Sequence, residues 1–287
     1  MKTGLIDVDS HGFPNLALMK ISAYHKAKGD DVEWWNGLKV YDRVYKAKVF
    51  DQTYTDDIPY CIMADEVIQG GTGYGLDDRL PDEIEHIMPD YSLYGITDTA
   101  YGFITRGCPR NCPFCIVSQK EGTKSERVAD LEEFWSGQKN IVILDPNVTA
   151  SKDCETIFDE IIKTKSWVEF NQGLDVRLLT DKGCDQLNQI KTKMIHFAWD
   201  NYEMKTYEKL KRIRPLLKHD HRKLMVYVLT NFNTTHEQDL ERIMKLRELD
   251  YDPYVMIFDK PNAPKVTKHL QRWCNNKWIF WGGRINI

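Results

Sequence analysis

The sequence predicts an α/β protein in two parts, a small β-α-β unit over about the first 75 residues followed by six strand-helix units in a row. Three observations carry this. Short runs rich in β-branched and aromatic residues alternate with stretches of helical apolar spacing. Clusters of Gly, Pro, Asn and Asp punctuate them. At 287 residues the chain exceeds a typical single domain of about 100–200 residues, so a large domain, alone or with a small one, is expected. Strands alternating with helices of about 10–15 residues pair in parallel, and six such units suit a doubly wound sheet or a partial barrel. In either case functional groups belong on the loops that leave the C-terminal ends of the strands.

The first part opens with the apolar run Thr3–Asp9 and the turn-rich segment Asp9–Asn15. Leu16, Met19, Ile21, Ala23 and Ala27 then carry helical spacing that Gly29 ends. "DDVEWW", "RVYKAKVF" and "YCIMADEVIQGG" read as strands, the last running into Gly70–Gly75. That glycine run is explained as well by a turn as by phosphate binding. An acidic, proline-punctuated segment from Leu76 to Ser92 reads as a linker. In the second part, strands are expected near Ala100–Arg106, Asn140–Asp145, Trp167–Gln172, Met194–Asp200, Lys223–Thr230 and Pro253–Phe258. Helices are expected at Arg127–Ser136, Lys152–Lys165, Asp181–Lys191, Tyr202–Leu217, Thr235–Leu249 and Lys265–Asn275.

Composition narrows the function classes. A net charge of −4 gives no global basic field for nucleic acid. No apolar stretch approaches the roughly 20 residues that span a bilayer, and "MKTGLIDVDSHG" lacks the apolar core of a signal peptide, so a cytoplasmic protein with no membrane partner is expected. Seven cysteines, four of them scattered singly (Cys61, Cys154, Cys184, Cys274), do not resemble a disulfide framework and read as reduced thiols.

The other three fall together in "GCPRNCPFC" at Cys108, Cys112 and Cys115, just after the first strand of the second part. Thiolates are soft ligands for zinc, copper(I) or iron–sulfur clusters. A closed zinc site takes four protein ligands, usually in two separated pairs, whereas here three thiols share one loop with no nearby fourth Cys or His. A four-iron cluster held by three cysteines leaves one iron open. The bland alternative is a zinc knuckle or structural cluster completed by a distant residue.

The spacing Cys-x3-Cys-x2-Cys, with the aromatic Phe114 before the last cysteine, resembles the signature of the radical SAM superfamily. The resemblance spans about residues 94–259 and implies a partial (β/α)6 barrel. It also implies a 4Fe–4S cluster on Cys108, Cys112 and Cys115, and S-adenosylmethionine (SAM) chelating the open iron. Reduction by a one-electron donor such as flavodoxin or ferredoxin would then give a 5′-deoxyadenosyl radical. In the family a Gly-Gly-Glu segment after the second strand receives the SAM amino group. Here that stretch is "LDPN", a departure that leaves Asp145 or Asn147 to accept. Asn171, Gln172, Asp175 and Arg177 stand where ribose and carboxylate partners of SAM are expected, Arg177 with a fork suited to a carboxylate. Asp200 ends the fourth strand, and Thr230 to Asn233, Thr230 and Asn231 foremost, fall where adenine is faced. Alternatives stand beside these assignments: Asp175 with Arg177 as an ordinary ion pair, and Asp145 and Asp200 as helix N-caps.

The first part resembles the Rossmann-like domain that precedes the barrel in cobalamin-dependent members. Asp9-Ser10-His11 matches the first half of Asp-x-His-x-x-Gly, but Pro14 stands in place of glycine, and the unit is short. The expectation is a reduced relative that has lost cobalamin, with a unit that still binds cobalamin as the alternative. The resemblance thus divides the chain into residues 1–90, a barrel over 91–260, and a C-terminal helix and Trp/Arg-rich tail over 261–287 that closes the barrel. That tail, "HLQRWCNNKWIFWGGRINI", and the basic stretch Lys209–Lys223 carry cations and aromatics that suit RNA; a barrel-closing segment and a solvated helix face explain them too. The expected function is a radical SAM enzyme acting on a tRNA, peptide or small molecule. A methylthiolating enzyme normally has a further cysteine triplet before the barrel, where this chain has only Cys61. The alternative is a non-catalytic zinc or iron–sulfur module that organises a protein or RNA interface.

Overall fold

The computed structural model describes residues 1–50, 55–58 and 61–282. The start of the strand read from Tyr60 and the last five residues of the tail lie outside them. The chain forms two compact units, Met1–Ile141 and Val142–Ile287.

In the first unit, β1 (Lys2–Asp7), α1 (Leu16–Ala27), β2 (Asp31–Trp34), β3 (Tyr41–Ala47) and β4 (Ala64–Gly70) build a four-stranded sheet in the order β2-β1-β3-β4. All its pairings are parallel, with Thr3 beside Val32, Leu5 beside Tyr45 and Lys46 beside Gln69. Successive β1 residues enter different cores because strand side chains alternate. Leu5 packs with Leu18, Ile21, Tyr45 and Ala47, and Ile6 with Tyr41 and Val44. The Asn15 side chain caps α1 by accepting from Leu18 N–H at 3.2 Å, and Gly29 follows its end in the left-handed region at φ +81°.

The remainder of this unit carries α2 (Asp82–Glu85), β5 (Thr99–Gly102), β6 (Thr105–Arg106), α3 (Val117–Lys120) and β7 (Glu126–Arg127). Two expectations are corrected here. The strand expected over Ala100–Arg106 is split into β5 and β6, and the helix expected over Arg127–Ser136 does not form. Arg127 instead pairs with Thr105, and Glu126 with Arg106, in an antiparallel ladder. Only one 3-10 turn follows, at Leu131–Glu133, under a capping box of Asp130 and Glu133. Leu131 and Phe134 have helical spacing because both are buried from that single turn. The Phe134 ring lies over Gly102, where a Cβ would stand 2.2 Å from it.

The second unit continues from β8 (Asn140–Ile143) through α4 (Cys154–Thr164), β9 (Trp167–Phe170), α5 (Asp181–Leu187), β10 (Lys191–Thr192) and β11 (Ile195–Ala198). It ends with α6 (Met204–Ile213), β12 (Leu224–Thr230), α7 (His236–Glu248), β13 (Asp252–Ile257), α8 (Lys265–Asn275) and α9 (Lys277–Gly282). The strands fall into two groups, β8-β9-β10, in which β9 and β10 are parallel, and β11-β12-β13, parallel throughout. A bridge from Leu174 to Phe197 links them. Strand β10, at the end of the segment expected to be helical through Lys191, pairs Lys191 and Thr192 with Trp167 and Val168. Helix α6 stops at Ile213 because Pro215 cannot continue it, and a 3-10 turn takes over.

Along β12 alternate residues are buried, Val226 and Val228 completely. On its opposite face Tyr227 stacks with His196 at 5.2 Å and meets the edge of Tyr254 at 5.9 Å. The outer edge of β13 is capped by α8 and α9. Asn275 Oδ1 accepts from Val255 N–H at 2.8 Å, Gln271 donates to the Val255 carbonyl at 3.0 Å, and Lys277 donates to the Pro253 carbonyl at 2.7 Å. An edge strand with its backbone satisfied this way cannot template another strand. Among the described residues no helix is long and apolar enough to cross a membrane.

Candidate functional site

The three cysteines occupy the loop between β6 and β7, so an antiparallel hairpin holds its base rather than a strand-helix turn. Cys108 N–H donates to the Gly122 carbonyl at 3.0 Å, and Cys115 N–H to the Cys112 carbonyl at 2.9 Å. Gly107 enters the loop at φ +90°, and a Cβ there would stand 1.9 Å from the Lys124 carbonyl oxygen. Only glycine fits that position. Asn111 also takes a left-handed conformation, at φ +45°, with its Oδ1 accepting from the Ser118 hydroxyl at 2.8 Å. Arg106 fastens the base by pairing with Glu121 at 3.0 Å and Glu85 at 2.9 Å, while Lys20 also reaches Glu85 at 3.2 Å. Arg79 donates to the Lys120 carbonyl, and Lys120 to the Asp78 carbonyl at 2.8 Å, strapping the linker across α3.

Cys108, Cys112 and Cys115 are all partly exposed, and Phe114 between the last two is half-buried. Among the described residues no three or more His, Cys, Asp or Glu side chains are gathered round a single ion. A cubane asks for a different arrangement, since each thiolate takes its own iron. The other cysteines are unsuited to ligation. Burial pushes the Cys154 and Cys274 thiols up to about 12 and Cys184 up to about 11, keeping them protonated, and Cys61 stands alone in sequence.

In the second unit the structure brings Asn147, Asp175, Arg177 and Asp200 into one chain of interactions. Thr149 Oγ1 donates to Asn147 Oδ1 at 2.8 Å and accepts from Asp175 N–H at 2.9 Å. Arg177 grips Asp175 with both arms of its fork, at 2.8 and 3.1 Å. Burial pushes the Asp200 carboxyl up to about 6, with Asp175 adding to the rise and Arg242 and Arg177 opposing it. Asp145 and Asn147 are almost fully buried. Gln172 is exposed. Thr230 is buried with its hydroxyl on the Met256 carbonyl at 3.2 Å, and Asn231, at φ +62°, donates to the Phe258 carbonyl at 2.8 Å. The N-cap role offered for Asp145 and Asp200 falls to neither, because α4 and α6 begin after Asp153 and Glu203.

Two residues were not singled out from the sequence. Arg242 is completely buried, and it donates to the carbonyls of Trp199, Asp200 at 3.0 Å and Leu229 at 2.7 Å, and to Asp239 at 2.6 Å. It thereby fixes the ends of β11 and β12 where Asp200 sits. The sequence signal was an arginine one turn after an aspartate on an otherwise apolar helix face. Thr149 gave no signal, because its role depends on two strand ends meeting.

No protein-family model matches the chain. The chain is similar to a CDK5RAP1-like protein of Oryza sativa subsp. japonica, 31% identical over 99 residues, which is 31% of this chain and 16% of that protein. It therefore spans a small part of that relative's length. Its fold is similar to the structure of the radical S-adenosylmethionine methyltransferase TsrM from Kitasatospora setae, solved with cobalamin and a 4Fe–4S cluster bound. The TM-score is 0.64 at 11% identity, over 89% of this chain and 74% of that one, a likeness of fold. The likeness to TsrM is one of an α/β fold, and the resemblance to the radical SAM signature is carried by the spacing of Cys108, Cys112 and Cys115.

Proposed function

We propose that the chain is a radical SAM enzyme in which Cys108, Cys112 and Cys115 hold a 4Fe–4S cluster whose fourth iron has no protein ligand. The observation that supports this is the loop itself. Three partly exposed soft donors lie within eight residues on a glycine-shaped hairpin whose base is pinned by Arg106, Glu121 and Glu85. When bound, the cluster supplies the electron that splits a carbon–sulfur bond of SAM, giving methionine and a 5′-deoxyadenosyl radical. The chain's own residues position the reactant. In this reading Arg177 binds the SAM carboxylate in exchange for Asp175, Asp145 or Asn147 accepts from its ammonium, and Gln172 and Asp175 take the ribose. Asn231 borders the adenine, with the buried Thr230 supporting it through the Met256 carbonyl, and Asp200, set against Arg242, tunes the charge around Arg177. The electron comes from a reductant of the flavodoxin or ferredoxin class.

The first unit is proposed to act without a corrin, although the TsrM structure holds one. Asp9 is occupied by the N–H groups of Val49 and Phe50 at 2.7 and 2.8 Å, and Asp7 by the Tyr94 hydroxyl at 2.6 Å. An open cavity of about 480 Å³ lies beside them, lined by Asp7, Ser10, His11, Trp34 and Trp35. Hydroxocobalamin should therefore not co-elute with the protein on gel filtration; a stoichiometric complex would contradict this part of the reading.

Anaerobic reconstitution with iron and sulfide tests the enzyme reading. About four irons per chain and 5′-deoxyadenosine formed from SAM after reduction are expected. A tightly bound single zinc with no SAM turnover would favour a metal-binding module instead.

A further inference from the structure

We propose that the basic face of the second unit between Lys205 and Lys223, together with the short helix α9, binds an unpaired loop of a folded RNA. That stretch holds eight Lys and Arg against two acidic residues in a chain of net charge −4, so positive charge is concentrated in this segment. Arg212 pairs with Asp181 at 2.7 Å and Arg222 with Asp220 at 2.6 Å. Among the described residues the exposed Lys205, Lys211 and Lys218 make no ion pair. Lys218, His219, Asp220, Arg222 and Lys223 line a cleft of about 240 Å³, room enough for a phosphodiester. The buried Nε2 of His219 has no hydrogen-bond partner.

Aromatic surface adjoins this cleft. His221, within the basic loop, stacks on Trp281 of α9 at 3.9 Å, and Trp281 is held by its N–H on Asp252 at 3.0 Å and by Arg247 over its ring. Trp278, three residues earlier on the same helix, is 91% exposed. Residues three apart share a helix face, so an indole in solvent stands beside an anchored one. Charge alone would suit any polyanion. A flat indole next to it selects one that presents π faces, because base stacking on an aromatic ring is tolerant of sequence and contributes beyond phosphate contacts. Unpaired bases are presented by loops of folded RNA, whereas cellular DNA keeps its bases paired. The inference stands apart from the cluster reading, since binding is read without SAM, reductant or turnover.

The test is fluorescence anisotropy on the full chain at fixed salt, with a labelled RNA hairpin carrying an unpaired loop, a fully paired RNA of equal length, and heparin as competitor. The hairpin should bind at least about tenfold more tightly than the duplex. Trp278→Ala should weaken hairpin binding about tenfold while leaving duplex binding unchanged, and Trp278→Phe should restore most of it. Replacing Lys218 and Lys223 together with Ala should lower the slope of log affinity against log salt by about 1.4. Circular dichroism confirms that each variant is folded. Equal affinity for hairpin and duplex, heparin displacing the hairpin as well as it displaces the duplex, or a folded Trp278→Ala variant with unchanged hairpin affinity would overturn the proposal.

Discussion

Asp200 offers the sharpest quantitative consequence of the second unit's geometry. Burial pushes its carboxyl up to about 6 from an ordinary 3.8, even with Arg242 and Arg177 nearby. Between those values the folded chain binds more protons at this site than the unfolded chain, so the contribution of Asp200 to stability falls as pH rises from about 4 through 6. A shift of roughly two units corresponds to about 3 kcal/mol, a penalty fully present above pH 7 and absent below pH 4. Asp200→Asn keeps the shape and removes the charge. It should stabilise the second unit by about 3 kcal/mol at pH 7.5 and by nearly nothing at pH 4. Urea unfolding across that range, followed by fluorescence of Trp199, which is 1% exposed and adjacent, gives the difference directly. A pH-independent difference, or a variant less stable at pH 7.5, would refute the reasoning.

Other consequences follow from single side chains. Gly107→Ala places a Cβ against the Lys124 carbonyl oxygen in a left-handed conformation, a strain of about 1–3 kcal/mol before the clash is counted. Iron incorporation should drop to a minor fraction of wild type while thermal unfolding of the second unit is unchanged, and full iron content would count against the hairpin account. Gly102→Ala drives a methyl into the Phe134 ring and should cost about 1–3 kcal/mol, with partial recovery in Gly102→Ala/Phe134→Leu measured by denaturant midpoint. Arg177→Ala should weaken SAM binding about tenfold by calorimetry, with iron content unaltered. Equal SAM affinity would remove Arg177 from the proposed carboxylate site.

Much of the fold was legible because it rests on local signals. The strand expected over Lys223–Thr230 and the helix expected over Lys265–Asn275 correspond to β12 and α8 at or within one residue of their ends. The cysteine triplet was legible for a different reason, as a chemical spacing independent of conformation. What escaped was decided by partners distant in sequence. Leu131 and Phe134 carry the same spacing in one turn as in a three-turn helix, and the pairing of Arg127 with Thr105 settled the matter. Lys191 and Thr192 have no strand signal of their own and take that form from Trp167 and Val168. Arg242 was signalled only by its place one turn after Asp239 on an apolar helix face; the three carbonyls that bury it come from other segments and leave no trace in local sequence. Of the two readings the sequence offered for Arg177, the ion pair with Asp175 is the one the structure shows, and a SAM carboxylate would have to displace it.

The central claim is an iron corner that no side chain of this protein closes. The direct measurement is pulsed electron paramagnetic resonance of the reduced, reconstituted protein with SAM labelled with nitrogen-15 at its amino group. The account predicts a hyperfine coupling between that nitrogen and the cluster in wild type, and neither cluster nor coupling in Cys112→Ala. A fully assembled cluster that shows no coupling to the label, with SAM bound in excess, would contradict it.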